Sequence, residues 1–299
     1  MSTNIYRNGN YITKIDDKTG TRTRIQYDDN EDFIPEFPES LDVNLTQKCN
    51  GGCQFCYAEC IPDGKHGDIM SAKFVDTLHM YTEVALQVND MSHPDLIPFL
   101  EKLKEKKVLP SITVNQMHFE QKEDFISELI DNEMIYGLGV SLKNPTQEFI
   151  QRAQKYPNLV VHTIIGINTP QNYIRLVNKG LKVLILGYKD KGRGHDFLEK
   201  ERKVIEYNQK WLKESLNIII NCGWYPLISF DNLALEQLDV KSLLPTEQWE
   251  RFFQGVDGHN SLYIDLVDRT FGKSSLVSKT EMMPLMDDIK DMFNIVRRM

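Results

Sequence analysis

Apolar and polar positions follow a repeating strand–helix pattern through the middle of the chain. Short runs rich in aliphatic and β-branched residues predict strands, and the segments between them place apolar residues three and four positions apart, as amphipathic helices do. The predicted strands are residues 41–45, 83–88, 111–115, 137–142, 159–167 and 183–187. Strands that alternate with helices in this way form parallel sheets with right-handed crossovers.

The two ends of the chain depart from this alternation. Residues 5–27 read as extended segments around polar turns, which predicts a β-hairpin, and residues 28–39 read as a connection. Past the sixth strand, residues 195–216 show the pattern of a long polar helix. The apolar residues 217–221 predict a further strand that ends at a buried Cys222.

These patterns predict an α/β protein in three parts. The parts are an N-terminal hairpin and connection, residues 1–39, a core of alternating strands and helices, residues 40–194, and an α+β C-terminal extension, residues 195–299. A closed or partly closed barrel of this kind places its active site at the carboxyl ends of the strands. We expect the extension to cover or line the mouth of the barrel.

Composition narrows the classes of partner and compartment. The 299 residues carry 43 acidic and 35 basic side chains, a net charge of −8, which argues against a general nucleic-acid surface. No apolar run approaches the length of a membrane span, and the N-terminus lacks the apolar core of a signal peptide. With an odd number of cysteines as well, we expect a cytoplasmic protein with no membrane or nucleic-acid partner.

Three of the five cysteines, Cys49, Cys53 and Cys56, fall within eight positions directly after the first predicted strand. Closely spaced thiolates in a reduced chain are typical metal ligands. A closed zinc site needs four ligands, so a zinc knuckle, or a zinc-dependent binding module, would have to borrow a histidine or Cys60. Three thiolates suit an iron–sulfur cube whose fourth iron stays open, and we favour that interpretation.

The cysteine spacing, with Phe55 before the last cysteine and Tyr57 after it, resembles the radical S-adenosylmethionine (SAM) superfamily. The resemblance covers roughly residues 41–190 and identifies no subfamily. It implies a partial (β/α)6, TIM-like barrel in which Cys49, Cys53 and Cys56 bind a [4Fe-4S] cluster. SAM would chelate the fourth iron and be cleaved reductively to methionine and a 5′-deoxyadenosyl radical, which abstracts hydrogen from a substrate.

The resemblance also implies SAM contacts at the strand ends. The Gly-Gly-Glu motif of the family's second strand is replaced here by Leu-Gln-Val-Asn-Asp at residues 86–90, where Asn89 or Asp90 would accept a hydrogen bond from the SAM amino group. Glycines at this place would let the backbone approach SAM closely, and the side chains that replace them restrict that approach. The alternative is therefore a cluster-binding barrel with a degenerate SAM site and a structural or sensing role. The predicted SAM contacts are Phe55, Tyr57, Asn89, Asp90, Asn115, Ser141, Gly166, Asn168 and Tyr188.

The resemblance further implies an external electron donor, flavodoxin- or ferredoxin-like, and a small-molecule or peptide or protein substrate. Oxidoreductase, transferase and lyase chemistry all fit the motif. The basic residues 189–193 follow the sixth strand and read as a solvated loop or, less strongly, as a site for a carboxylate or phosphate. His93 and His118 lie near predicted strand ends and are candidates for proton transfer.

Overall fold

The computed structural model describes residues 3–16, 21–26, 32–253 and 255–299, so part of the predicted connection, residues 28–31, lies outside the described residues. The strands are β1 Thr3–Asn8, β2 Tyr11–Asp16, β3 Arg22–Ile25, β4 Ser40–Asn44, β5 Glu83–Asn89, β6 Leu109–Asn115, β7 Gly137–Ser141, β8 Leu159–Ile164, β9 Lys182–Leu186, β10 Ile228–Phe230, β11 Ser261–Asp265, β12 Thr270–Gly272 and β13 Met283–Pro284. The α-helices are α1 Leu96–Glu105, α2 Gln116–Gln121, α3 Glu123–Asp131, α4 Gln147–Ala153, α5 Pro170–Leu176, α6 Arg193–Asn221, α7 Asn232–Leu238, α8 Thr246–Phe252 and α9 Ile289–Val296. Short 3-10 helices cover Lys73–Thr77 and Val240–Leu243.

The strands form two sheets. One is the antiparallel sheet β1-β2-β3, and the other has ten strands in the order β10-β9-β8-β7-β6-β5-β4-β11-β12-β13. Every neighbouring pair from β10 through β4 to β11 is parallel, while β12 and β13 add antiparallel strands at one edge. The predicted strands of the core are all confirmed, with ends that differ by three residues at most.

The last third of the chain contributes strands to the large sheet. β10 pairs with β9, and β11 pairs with β4 on the opposite side, so the parallel part of the sheet has eight strands, two more than the six predicted for the core. The alternation of residues 261–267 in the sequence predicts a strand, which β11 confirms, whereas β10, with only three residues, leaves little periodic signal. The residues after 194 are therefore partly built into the sheet that they were expected to cover.

The predicted strand at residues 217–221 is wrong, because these residues continue α6. Leu212, Leu216 and Ile219 are buried at helical spacing, whereas Ile218 is exposed, so the apolar run belongs to one stripe of a long helix with a kink at Glu201. Cys222, predicted as a buried residue at the end of that strand, lies at the end of the helix and is exposed. None of the helices in the described residues is long and apolar enough to span a membrane.

The core lies against one face of the large sheet. In β5, β6, β8 and β9, fully buried positions alternate with partly accessible ones, as expected for strands packed on one side only. The buried positions join the apolar stripes of the helices in one connected cluster that includes Leu86, Phe99 and Phe149. The alternate positions, among them Gln87 and His162, form what we call the open face of the sheet.

The antiparallel sheet packs against the amino ends of β4 and β5. Glu39, whose side chain is fully buried, accepts hydrogen bonds from Tyr11 Oη at 2.9 Å and from Arg24 Nε at 3.0 Å. Arg22 donates to the carbonyl of Tyr81, directly before β5. These bonds attach the N-terminal sheet to the end of the large sheet that lies opposite the carboxyl ends of its strands.

Candidate metal centre

The three motif cysteines lie in one closed loop at the carboxyl end of β4. We call residues 49–60 the cysteine loop. Its base is closed where Lys48 pairs with Ile61, and the Cys49 N–H donates to the Ile61 carbonyl at 2.9 Å. Within the loop, the Cys56 N–H donates to the Cys53 carbonyl at 3.3 Å, which forms a tight turn between these two cysteines.

Each motif cysteine is partly accessible. Burial raises the pKa of the Cys49 and Cys53 thiols, and in both cases the charges of the other motif cysteines raise it further, so the sulfur atoms act on one another. The Gly51 N–H donates to Cys49 Sγ at 3.3 Å, which favours its thiolate. A hydrogen bond with the buried Cys60 lowers the pKa of the Cys56 thiol, which favours its thiolate.

The donor set can be compared with the two kinds of metal centre that the sequence allows. A mononuclear zinc site needs four ligands at about 2.0–2.3 Å from one ion. No group of three or more His, Cys, Asp or Glu side chains in the described part of the chain is placed to hold a metal ion. A cube makes a different demand, because each thiolate binds its own iron and the sulfur atoms stay apart. Three accessible thiols on one loop fit the cube as a donor set.

The end of β5 has an irregular backbone beside the cysteine loop. The pairing of β5 with β6 shifts between Gln87 and Asn89, and Asn89 takes a left-handed conformation with φ of +51°. Asparagine tolerates this region better than other non-glycine residues do. Its amide Nδ2 donates to the carbonyls of Thr46 at 2.7 Å and Lys48 at 3.1 Å. Asn89 therefore holds the stretch between β4 and the cysteine loop.

Gln87 joins β5 to the other side of the cysteine loop. The Tyr57 hydroxyl donates to Gln87 Oε1 at 3.3 Å, and Gln87 Nε2 donates to Asn89 Oδ1 at 3.3 Å. Lys189 Nζ lies 3.9 Å from the centre of the Tyr57 ring. The predicted SAM contacts Tyr57 and Asn89 are thus brought together, but through bonds within the chain. Phe55 instead packs edge-to-face on Phe197 of α6, with 5.9 Å between ring centres.

Asp90 and Asn115 lie on the other side of the motif. Asp90 is close enough to Cys49 for its charge to contribute to the raised pKa of that thiol, and its Oδ1 accepts bonds from Ser92. The Asn115 side chain caps α2 and also lies against the loop, since a Cβ at Gly51 would be 2.5 Å from Asn115 Nδ2. Glycine is required at position 51 for this close approach.

His118 lies beneath the cysteine loop and is almost fully buried. Its Nε2 donates to Asn50 Oδ1, and burial lowers the pKa of its imidazole, so the ring is neutral at physiological pH. Because this neutral, buried ring holds Asn50, the residue after Cys49, it helps to position the loop. His93 has a similar structural place, with Nε2 bonded to the Gly67 carbonyl at 2.9 Å.

The open face of the sheet carries polar side chains at positions that are at least partly accessible to solvent. Ser141 lies there at the end of β7, in register with Asn115 of β6 and His162 of β8. Burial lowers the pKa of His162 to about 4. The side chain of Asp42 is accessible to solvent, yet desolvation raises its pKa.

The remaining predicted SAM contacts bind other parts of the chain. Gly166 packs on α6, and its carbonyl accepts from Asn208 Nδ2 at 2.9 Å. Asn168 is buried, with Oδ1 bonded to the Ile164 N–H and Nδ2 to the Leu142 carbonyl. Both main-chain polar groups of Tyr188 bond to the Gln237 side chain, and its hydroxyl donates to the Gly194 carbonyl.

Sequence reasoning missed Arg193 and Gln87 as residues that contact the cysteine loop. Arg193 lies in the basic stretch 189–193, for which the sequence favours a solvated loop, but its guanidinium bonds to the carbonyls of Cys53 and Cys60. The available signal is its position, at the start of the helix that follows the sixth predicted strand. Gln87 stands where the resemblance implies a glycine, and only the structure shows what its side chain contacts.

Comparison with protein-family models found no model that matches the chain, and comparison with curated proteins found no match either. The interpretation of the site therefore depends on the cysteine motif and on the geometry around it.

Proposed function

We propose that the chain is a radical SAM enzyme that binds one [4Fe-4S] cluster through Cys49, Cys53 and Cys56. The observation that carries the proposal is the place of these cysteines: one closed loop, directly after the first of seven parallel strands that neighbour one another in chain order. The cluster would supply the electron that cleaves SAM to methionine and a 5′-deoxyadenosyl radical. The chain positions the loop, excludes water and binds the substrate.

We further propose that the sheet is a partial barrel. Strands added in chain order with right-handed crossovers place their helices on one face, and such a sheet curves towards the other. The strand order from β4 to β10 and the single buried face support this. The desolvated but accessible Asp42 on the open face also supports it.

The substrate end of the site would lie on the open face, beside the cysteine loop. Asp42 pairs in register with Tyr263, and the charge of Lys189 acts on Asp42. These polar side chains suit a small molecule or a peptide side chain with hydrogen-bonding groups. A flavodoxin- or ferredoxin-like protein would donate the electron, which fits a cytoplasmic enzyme.

Anaerobic reconstitution with iron and sulfide tests the proposal. We expect about four irons per chain, the stoichiometry of the cube, and formation of 5′-deoxyadenosine after reduction in the presence of SAM. Cys53→Ala should lose both, whereas Cys222→Ala, which removes an exposed cysteine at the far end of α6, should lose neither. Iron bound equally by wild type and Cys53→Ala would refute the assignment of the motif.

The alternative, a cluster-binding barrel without SAM chemistry, is favoured by one specific observation. In place of the Gly-Gly-Glu motif, the side chains of Gln87 and Asn89 bond to Tyr57, Thr46 and Lys48. Calorimetric titration of the reconstituted protein with SAM separates the two functions. Heat of binding that is absent from the cluster-free protein supports the enzyme, and a loaded cluster with no binding supports the alternative.

A further inference from the structure

Arg193 connects the first helix after the core strands to the cysteine loop. Its Nε donates to the Cys53 carbonyl at 3.3 Å and its Nη2 to the Cys60 carbonyl at 2.9 Å. The two carbonyls belong to residues that precede Arg193 by 140 and 133 positions in the chain. One side chain thus fixes the middle and the end of the loop that carries the motif cysteines.

The start of α6 is shaped for this contact. Gly192 has φ of +55°, and a Cβ there would lie 2.6 Å from the Tyr57 carbonyl oxygen. A Cβ at Gly194 would lie 2.4 Å from the Lys189 carbonyl oxygen and 3.5 Å from that of Phe55. Because both glycines permit close backbone approach, the residue between them is held against the loop.

The guanidinium of Arg193 has no carboxylate partner within ion-pair distance among the described residues. Both of its bonds go to neutral carbonyl oxygens, although the side chain is only partly accessible. Its charge favours the thiolates of Cys53 and Cys56. A cube held by three thiolates is anionic and gains one more negative charge on reduction, and net charge and hydrogen bonding set the potential of such clusters.

We propose that Arg193 is a positioning residue that clamps the cysteine loop and stabilises the reduced cluster by its uncompensated positive charge. This inference rests on the proposed cluster. It predicts two separable effects, because the clamp needs the planar guanidinium fork and the electrostatic effect needs only the charge. Arg193→Gln removes both, and Arg193→Lys keeps the charge.

The potential is measured by EPR-monitored redox titration of the reconstituted proteins. We expect Arg193→Gln to lower the equilibrium constant for one-electron reduction about tenfold, which is about 59 mV to more negative potential. Arg193→Lys should stay near wild type. The matched control is Arg202→Gln, which removes an exposed positive charge further along the same helix and should leave the potential unchanged.

The clamp is measured without a cluster, by hydrogen exchange of the amides in residues 49–60 of the cluster-free protein. Arg193→Gln and Arg193→Lys should exchange about tenfold faster than wild type, and Arg202→Gln should not. If Arg193→Gln does not fold, the test compares Arg193→Lys with Arg202→Gln. Amide exchange at the wild-type rate in Arg193→Lys would then overturn the clamp.

The outcomes separate this inference from the proposed function. A wild-type protein that assembles no iron–sulfur cluster refutes the proposed function, and the role of Arg193 with it. A wild-type protein that assembles the cluster, while Arg193→Gln titrates at the same potential, refutes only the role of Arg193.

Discussion

Replacing Asn89 tests how the end of β5 supports the cysteine loop. Asn89→Ala removes the two amide bonds to the carbonyls of Thr46 and Lys48, at 2.7 and 3.1 Å, together with the longer contacts of its side chain with Gln87 Nε2 and Cys60 Sγ, at 3.3 and 3.4 Å. At about 1 kcal/mol per bond, loss of the two carbonyl bonds destabilises the protein by about 2 kcal/mol. Alanine in the left-handed region, where φ is +51°, costs about 1 kcal/mol more. The total is about 3 kcal/mol.

Asn178→Ala is a matched control for the backbone part of this cost. Asn178 has φ of +56° and is exposed, and no side-chain hydrogen bond is found for it among the described residues. The control should therefore cost about 1 kcal/mol. Asn89→Gly relieves the left-handed strain but loses the same two bonds, and should cost about 2 kcal/mol.

The assay is thermal unfolding of the cluster-free proteins by circular dichroism. For a chain of 299 residues about 1 kcal/mol corresponds to about 1.6 °C, so Asn89→Ala should lower Tm by about 5 °C and Asn178→Ala by about 1.6 °C. Asn89→Ala should also take up less iron on reconstitution, because the loop is less well held. Equal Tm values for the Asn89→Ala and Asn178→Ala variants would refute the role of the two amide bonds.

Three further predictions concern the parts of the chain that hold the site in place. Glu39→Gln leaves Arg24 without its buried carboxylate and should destabilise the protein by about 3–5 kcal/mol in urea unfolding, while Glu36→Gln at an exposed ion pair leaves the midpoint unchanged. Desolvation raises the pKa of Glu39, but the Arg24 hydrogen bond and the arginine charges outweigh it and hold that pKa low. The stabilisation by ionised Glu39 is therefore fully present above about pH 4.3, the usual pKa of a glutamate in an unfolded chain, and is lost as the pH falls through the lower pKa of folded Glu39. A Tm that does not change across this acid range would contradict the prediction. Gly194→Ala places a Cβ 2.4 Å from the Lys189 carbonyl oxygen, so it should lower both Tm and iron uptake. Wild-type values of Tm and iron uptake would show that the backbone at the start of α6 can move to accommodate the methyl group.

The strands of the core were predictable because their signal is local. Each is an apolar run bounded by polar turns, and parallel order follows from the helices between them. The start of α5 also carries a local signal, since Thr169 caps the helix and Pro170 is its first residue. Placement of Cys49, Cys53 and Cys56 after the first strand followed from the same local pattern.

The errors arose where contacts distant in sequence decide the structure. Residues 217–221 carry a β-branched run that favours a strand, but burial of Leu216 and Ile219 on one face keeps them in α6. The strand at β11 was readable from the sequence, but its pairing with β4, more than two hundred residues earlier, was not. For the same reason the partner of Arg193 could not be read from the sequence.

The effect of SAM on the EPR spectrum of the reduced, reconstituted protein tests the central claim most directly. If Cys49, Cys53 and Cys56 hold a [4Fe-4S] cluster with an open iron, the reduced protein gives the spectrum of such a cluster and saturating SAM changes it. Cys222→Ala should behave as wild type, and Cys53→Ala should give no such spectrum. A protein without a cluster, or a cluster spectrum identical with and without SAM, contradicts the account.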